Sequence, residues 1–183
     1  MGSNRHELTM PFDVESQLIE SVRDDESWQA YISAFRASRN SVHMAILVEP
    51  YLTYILEGKK TIESRFSLNR QAPYHKVCRG DIILLKRSGG PIVGACQVTE
   101  AWFYLLDSLS WKEIRDEFLP EIFVHDPDFW RVKEKAIYAT LIRISRPRSI
   151  SPIDFKKKDR RGWVILSSPV KQNSLDEMVN EVG

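Results

Sequence analysis

Long apolar runs are missing from this chain. None of its 183 residues falls in a stretch approaching the roughly 18 that a membrane-crossing helix needs, so no membrane partner is expected. Cysteine is scarce as well. Cys78 and Cys96 are the two present, and no CxxC pair is formed. A structural zinc site is therefore not expected, and a reducing, cytoplasmic setting is the default. The opening residues, Met1 to His6, contain no apolar stretch of the kind a secretory signal carries, and no hydroxyl residue stands sixth as myristoylation would want. Cofactor fingerprints are absent too. The one glycine-rich turn, Ser88-Gly89-Gly90, lacks the lysine and following helix of a phosphate loop. No internal repeat or low-complexity tract interrupts the chain.

What is present describes a globular protein, with 43% hydrophobic and 28% charged residues. The length suits one domain with an appendage. The net charge of +1 conceals an asymmetry. Residues 1–41 carry 4 basic and 7 acidic groups, residues 42–168 carry 21 and 15, and residues 169–183 carry 1 and 3. The middle is basic and its flanks are acidic, which favours an anionic partner for the middle segment. The same boundaries divide the chain by pattern. Residues 1–41 read as a helical extension, 42–168 as the main domain, and 169–183 as a polar tail with a short helix at 175–179.

In the extension, Val14, Leu18 and Val22 are four apart, and Trp28, Tyr31, Ile32 and Phe35 follow helical spacing. Two amphipathic helices joined near Asp24-Asp25-Glu26 are expected, their apolar faces covered by the main domain or by a second subunit. From Val42 the period becomes that of a strand. A helix after Pro50 stops at Gly58. Strands are expected over 59–65, 81–87, 92–104, 136–144 and 162–166, with Gly94 marking a bulge or close approach. The turn at 88–91 makes the third and fourth of these six strands antiparallel. A helix capped by Ser110 and a second after Asp126-Pro127 interrupt the series. Arg146-Pro147-Arg148 and Ser151-Pro152 are expected to break the strand before them.

The densest chemistry lies in Gly58-Lys59-Lys60-Thr61-Ile62-Glu63-Ser64-Arg65. Three cations, a carboxylate and two hydroxyls fall within eight residues. As a strand, it would place Lys60, Ile62 and Ser64 on one face and Lys59, Thr61, Glu63 and Arg65 on the other. It could bind phosphate, with Arg65 gripping two oxygens. It could equally be an edge strand charged against aggregation, and on spacing alone that account is the simpler.

The stretch resembles the ASCH signature, Gly-x-Lys-x-x-Glu-x-Arg, at Gly58, Lys60, Glu63 and Arg65. The surroundings resemble the family too, with strand, proline and helix over 44–57, Gly80-Asp81 opening the next strand, and Asp159 to Trp163 before the closing one. The resemblance spans about residues 42–168. It implies an α+β fold, a PUA-like mixed β-barrel with short α-helical insertions and a cleft at its mouth floored by the signature strand. It also implies a link to RNA binding, coactivator modules or, in some branches, hydrolysis of RNA or acetylated cytidine. By the same resemblance Lys60, Glu63 and Arg65 line the cleft, and Glu100 matches the position of a carboxylate used by the hydrolases. The acetylcytidine amidohydrolases have threonine where Glu63 stands, so the sequence departs from that branch.

Further candidates come from the residues themselves. Lys156, Lys157, Lys158, Arg160 and Arg161 put five cations into six positions, which could track a phosphate backbone or form a solvated loop. Trp163, with Trp102, Tyr104 and Trp111, could stack bases or pack the core. Tyr74, His75 and Lys76 follow the signature in a loop. Three functions are consistent with these features. The first is binding of RNA, single-stranded nucleic acid or a nucleotide. The second is hydrolysis using Lys60 with Glu63 or Glu100. The third is protein interaction or homodimerisation through helices 12–38.

Overall fold

The computed structural model describes residues 12–38, 40–156 and 160–167. The chain runs α1 (Phe12–Ser21), α2 (Glu26–Ala37), β1 (Val42–Leu47), α3 (Tyr51–Leu56), β2 (Ile62–Ser67), β3 (Ile82–Arg87), β4 (Ile92–Leu105), α4 (Ser108–Ile122), α5 (Phe129–Lys133), β5 (Tyr138–Ile153) and β6 (Trp163–Ser167). The predicted tail helix lies outside the described residues.

One six-stranded sheet in the order β2-β5-β4-β3-β1-β6 organises the molecule. β1 and β3 are parallel, and every other neighbouring pair is antiparallel. The sheet curls into a half-barrel whose edges, β2 and β6, come round to face one another. Inside it pack Ala45, Leu47, Ile83, Leu85, Cys96, Val98, Ile142 and Trp163. Outside, two helical layers cover different parts of the sheet. Ile62, Ala139 and Leu141 meet Ile114, Phe118 and Ile122 of α4. Val42, Met44, Ile82, Leu84 and Ile92 meet the apolar faces of α1 and α2. The barrel thus covers the faces that sequence spacing marked as needing a partner. Tyr31 of α2 fixes the arrangement through its hydroxyl, which donates to the carbonyls of Gly80 at 2.6 Å and Asp81 at 2.9 Å.

Several local expectations need correction. α4 begins at Ser108, before the Ser110 expected to cap it. Its N-cap is Asp107, and Ser110 is the third helical residue, returning the bond in a reciprocal capping box at 2.8 Å in each direction. β5 does not break at Arg146-Pro147-Arg148 or at Ser151-Pro152, but runs on to Ile153. Ser145 pairs with Gln97 and Arg148 with Ala95, so Arg146 and Pro147 stand opposite the single residue Cys96. This is a bulge, with Arg146 at φ 49°, and a proline there removes no ladder hydrogen bond. The signature strand begins at Ile62, not Lys59. Gly94 does mark a close approach: a Cβ there would lie 2.6 Å from Leu56 Cδ2 and 3.0 Å from the Arg148 carbonyl oxygen.

Candidate functional site

The chain after α3 turns through Gly58, whose φ of 71° favours glycine, and enters β2 against the C-terminal end of α4. That helix end has carbonyls without helical partners. Thr61 N–H donates to the Glu121 carbonyl at 3.0 Å, and Lys60 Nζ donates to the Ile122 carbonyl at 2.9 Å. Lys60 also reaches the Ile62 carbonyl at 2.7 Å and stands 3.5 Å from Glu63 Oε2. Because Lys60 precedes the strand, it does not obey strand alternation. The expectation that it faces away from Glu63 is therefore corrected: the two meet inside the protein, 3% and 6% exposed. Burial pushes the Lys60 ammonium below its ordinary pKa, and the Glu63 carboxylate opposes that shift.

Glu63 and Arg65 point into the barrel, paired with Ile142 and Thr140 of β5. Arg65 Nε stands 2.8 Å from Glu63 Oε1, an ion pair and not an aligned hydrogen bond. The two terminal nitrogens donate across the barrel mouth, to the carbonyls of Gly162 and Ile46 at 3.1 Å each. One guanidinium thus clips the edge strand β2 to the far side of the sheet. Gly162 permits the approach, since a Cβ there would come within 3.1 Å of the Arg65 nitrogen. Arg65 also lies 5.3 Å from the centre of the Trp163 ring.

Trp163 is buried, and its indole N–H donates to His43 Nδ1 at 3.1 Å. His43 Nε2 lies 2.9 Å from Asp81 Oδ2. An indole N–H is only a donor, so Nδ1 must be the bare nitrogen and Nε2 the protonated one. Asp81 in turn accepts from the main-chain N–H groups of Ser41 and Cys78, at 2.7 Å each. This buried chain of three side chains holds the floor of the mouth rigid. Sequence reasoning gave His43 no role and Asp81 only a place in the Gly80-Asp81 turn, because the partners of His43 lie 38 and 120 residues away.

Between the edges of β2 and β6 lies a cleft of about 780 Å³. Arg65, Ser67, Gln71, Pro73, Thr140, Arg160, Arg161 and Trp163 help to line it, and among the described residues no carboxylate does. Its walls include main chain. Ile144 N–H bonds the Thr61 carbonyl, so in β2 the alternate residues Thr61, Glu63 and Arg65 face β5 with their backbone. Ser64 and Phe66 therefore turn N–H and C=O toward the open edge. The Phe66 ring is engaged elsewhere, stacked on Trp111 outside the sheet at 5.2 Å. On the opposite side Ile46 N–H bonds the Gly162 carbonyl, which turns the peptide groups of Trp163 and Ile165 outward in the same way.

The other predicted residues are distributed unevenly. Arg160 and Arg161 are exposed and line the cleft, and Lys156 is exposed but does not line it. Lys157 and Lys158 lie outside the described residues. Gly58 sits at the α3–β2 turn and supplies no wall of the cleft. Glu100 is not gathered with the others. It pairs with Arg143, which stands opposite Ile62 on the outer face, and the two side chains form an ion pair at 2.9 Å. The sheet separates Glu100 from Glu63 and Arg65. Trp102 packs on Phe118 and beneath Arg143, also outside. Among the described residues no group of three His, Cys, Asp or Glu is placed to hold a metal ion, and no helix is long and apolar enough to cross a membrane.

A half-barrel of mixed strands with helices on its outer face and a basic cleft at its open side defines a PUA-like α+β protein. The ASCH domain family matches residues 46–147, more than half the chain, and the chain belongs to that family. Its fold is similar to the crystal structure of ASCH from Zymomonas mobilis, with a TM-score of 0.51 and 17% identity over 62% of this chain and 73% of that one. A serine-to-alanine variant of the Zymomonas mobilis protein gives 0.51 and 17% over 63% and 75%. A tyrosine-to-phenylalanine variant gives 0.50 and 15% over 63% and 76%. No curated protein sequence matches the chain significantly.

Proposed function

We propose that this protein binds RNA, single-stranded nucleic acid or a nucleotide in the cleft between β2 and β6. The observation that carries this reading is a hollow of about 780 Å³ lined by three arginines and, among the described residues, no carboxylate. Such a site concentrates anions. Arg160 and Arg161, exposed on the cleft wall, contact phosphate, and the Arg65 fork bonds two main-chain carbonyls. The outward peptide groups of Ser64, Phe66, Trp163 and Ile165 offer donors and acceptors to the edge of a base. Lys60 and Glu63 act from behind, holding the strand that carries Arg65.

The hydrolytic reading has less behind it. The Lys60 ammonium is sealed by two carbonyls and a carboxylate, and Glu100 stands on the other face of the sheet. Protein association through helices 12–38 is weakened by the burial of their apolar faces against the barrel.

The test is binding of a short single-stranded RNA, followed by fluorescence anisotropy across a range of salt. Binding should tighten at low salt, and replacing Arg160 and Arg161 by Gln should lower the logarithmic salt slope by about 1. A flat salt response, or no binding at low salt, overturns the reading.

A further inference from the structure

The loop joining β2 to β3 forms one wall of the cleft through Gln71, Ala72 and Pro73. From Phe66 to Gly80 it contains no acidic residue. Arg70, Lys76 and Arg79 are all exposed along it, as is His75.

The loop is also well anchored. Pro73 and Val77 are buried, Tyr74 N–H bonds the Gln71 carbonyl at 3.0 Å, and Lys76 N–H bonds the Pro73 carbonyl at 2.8 Å. Aromatic contacts hold it against the sheet. The Tyr74 ring lies edge-on 5.0 Å from Tyr138, and Arg70 lies 5.6 Å over the same Tyr138 ring. The His75 imidazole rests on Phe103 at 4.4 Å with a tilt of 31°. Tyr138 and Phe103 project from the barrel side of β5 and β4, the side that carries Arg65 and Thr140. The aromatic tier thus stands on the same face of the sheet as Arg65 and Thr140, which line the cleft.

We propose that this loop extends the binding site beyond a single nucleotide. Arg70, Lys76 and Arg79 follow the phosphates of a single strand whose lead nucleotide occupies the cleft. The exposed face of His75, backed by Phe103, supports one unstacked base. The inference rests on the cleft reading above and adds to it a ligand class, an oligonucleotide of several residues in place of a mononucleotide.

The experiment compares a 5′-mononucleotide with single-stranded RNAs of increasing length on two proteins. One is the wild type, and the other carries Arg70→Gln, Lys76→Gln and Arg79→Gln. All three positions are exposed, and an unchanged thermal midpoint confirms folding. Affinity of the wild type should rise with length. The triple variant should bind the mononucleotide as the wild type does, but lose about tenfold or more on the longer RNAs, with its salt slope reduced by about 2. His75→Ala should weaken the longer RNAs severalfold and leave the mononucleotide unaffected. If affinity does not rise with length, or the triple variant binds long RNA like the wild type, the extension is wrong and the cleft reading survives. If the wild type binds neither probe, both fall.

Discussion

Lys60 illustrates why a charged residue can be structural in a site that looks chemical. Its ammonium is 3% exposed and bonded to the carbonyls of Ile62 and Ile122, with Glu63 alongside. A cation at the C-terminal end of a helix is favourable, and here it also satisfies a carbonyl that the helix leaves without a partner. Replacing Lys60 by Met removes the charge and keeps most of the volume. It strands two buried carbonyls and leaves Glu63 with Arg65 as its one remaining cation. The expected loss is about 3 kcal/mol in urea unfolding, because breaking one half of a buried pair exposes the other half to desolvation. Adding Glu63→Gln to Lys60→Met should recover part of that loss. Simple additivity of the two substitutions would contradict the coupling. The residue types and spacing of this motif were legible in the sequence, which put Lys60, Glu63 and Arg65 together. Their orientation was not. Alternation holds only within a strand, and the strand starts two residues after Lys60.

At the scale of elements, the packing of α1 and α2 on the barrel carries the next prediction. The Tyr31 hydroxyl is buried at that junction and lies beside Asp81, and both effects raise its pKa above the ordinary 10.0. A raised folded-state value means that the folded protein keeps a proton which the unfolded chain releases above pH 10. The stability tied to Tyr31 is therefore complete below about pH 10 and falls as the pH climbs further. Tyr31→Phe should cost about 1–2 kcal/mol at neutral pH through the lost bonds to Gly80 and Asp81. It should also flatten the alkaline decline, measured as urea midpoints from pH 8 to 12. A variant that declines as steeply as the wild type would refute the assignment. Most elements were visible in their periodicity: both N-terminal helices, the helix after Pro50 and the hairpin at Ser88. The length of β5 was not, because Pro147 looks like a strand breaker until its opposing residue is known to be a lone Cys96 in a bulge. The start of α4 was misjudged for a similar reason. Ser110 and Asp107 are both capping residues, and the sequence does not say which one leads.

For the whole molecule, the open sheet is the deciding feature. β2 and β6 are edges in the hydrogen-bonding sense, yet they face one another and are linked through the Arg65 side chain. Exposed strand edges invite unwanted pairing, and here the curl of the sheet and the guanidinium clip enclose both. That closure spans 97 residues between Arg65 and Gly162, too far for any local pattern to announce. The family resemblance implied a cleft lined by Lys60, Glu63 and Arg65; of the three only Arg65 lines the hollow, and Lys60 and Glu63 lie buried behind it. The resemblance did not anticipate that Glu100 would fall on the outer face, since position along a strand says nothing about sidedness once bulges intervene, and β4 has one between Val98 and Glu100. The central claim is that nucleic acid enters between these two edges, and a backbone amide chemical-shift titration with a short single-stranded RNA tests it most directly. The account predicts saturable shifts concentrated at Ser64 to Ser67, Gln71 and Arg160 to Ile165. Shifts centred on the outer face around Trp102 and Trp111, or none at low salt, would contradict it.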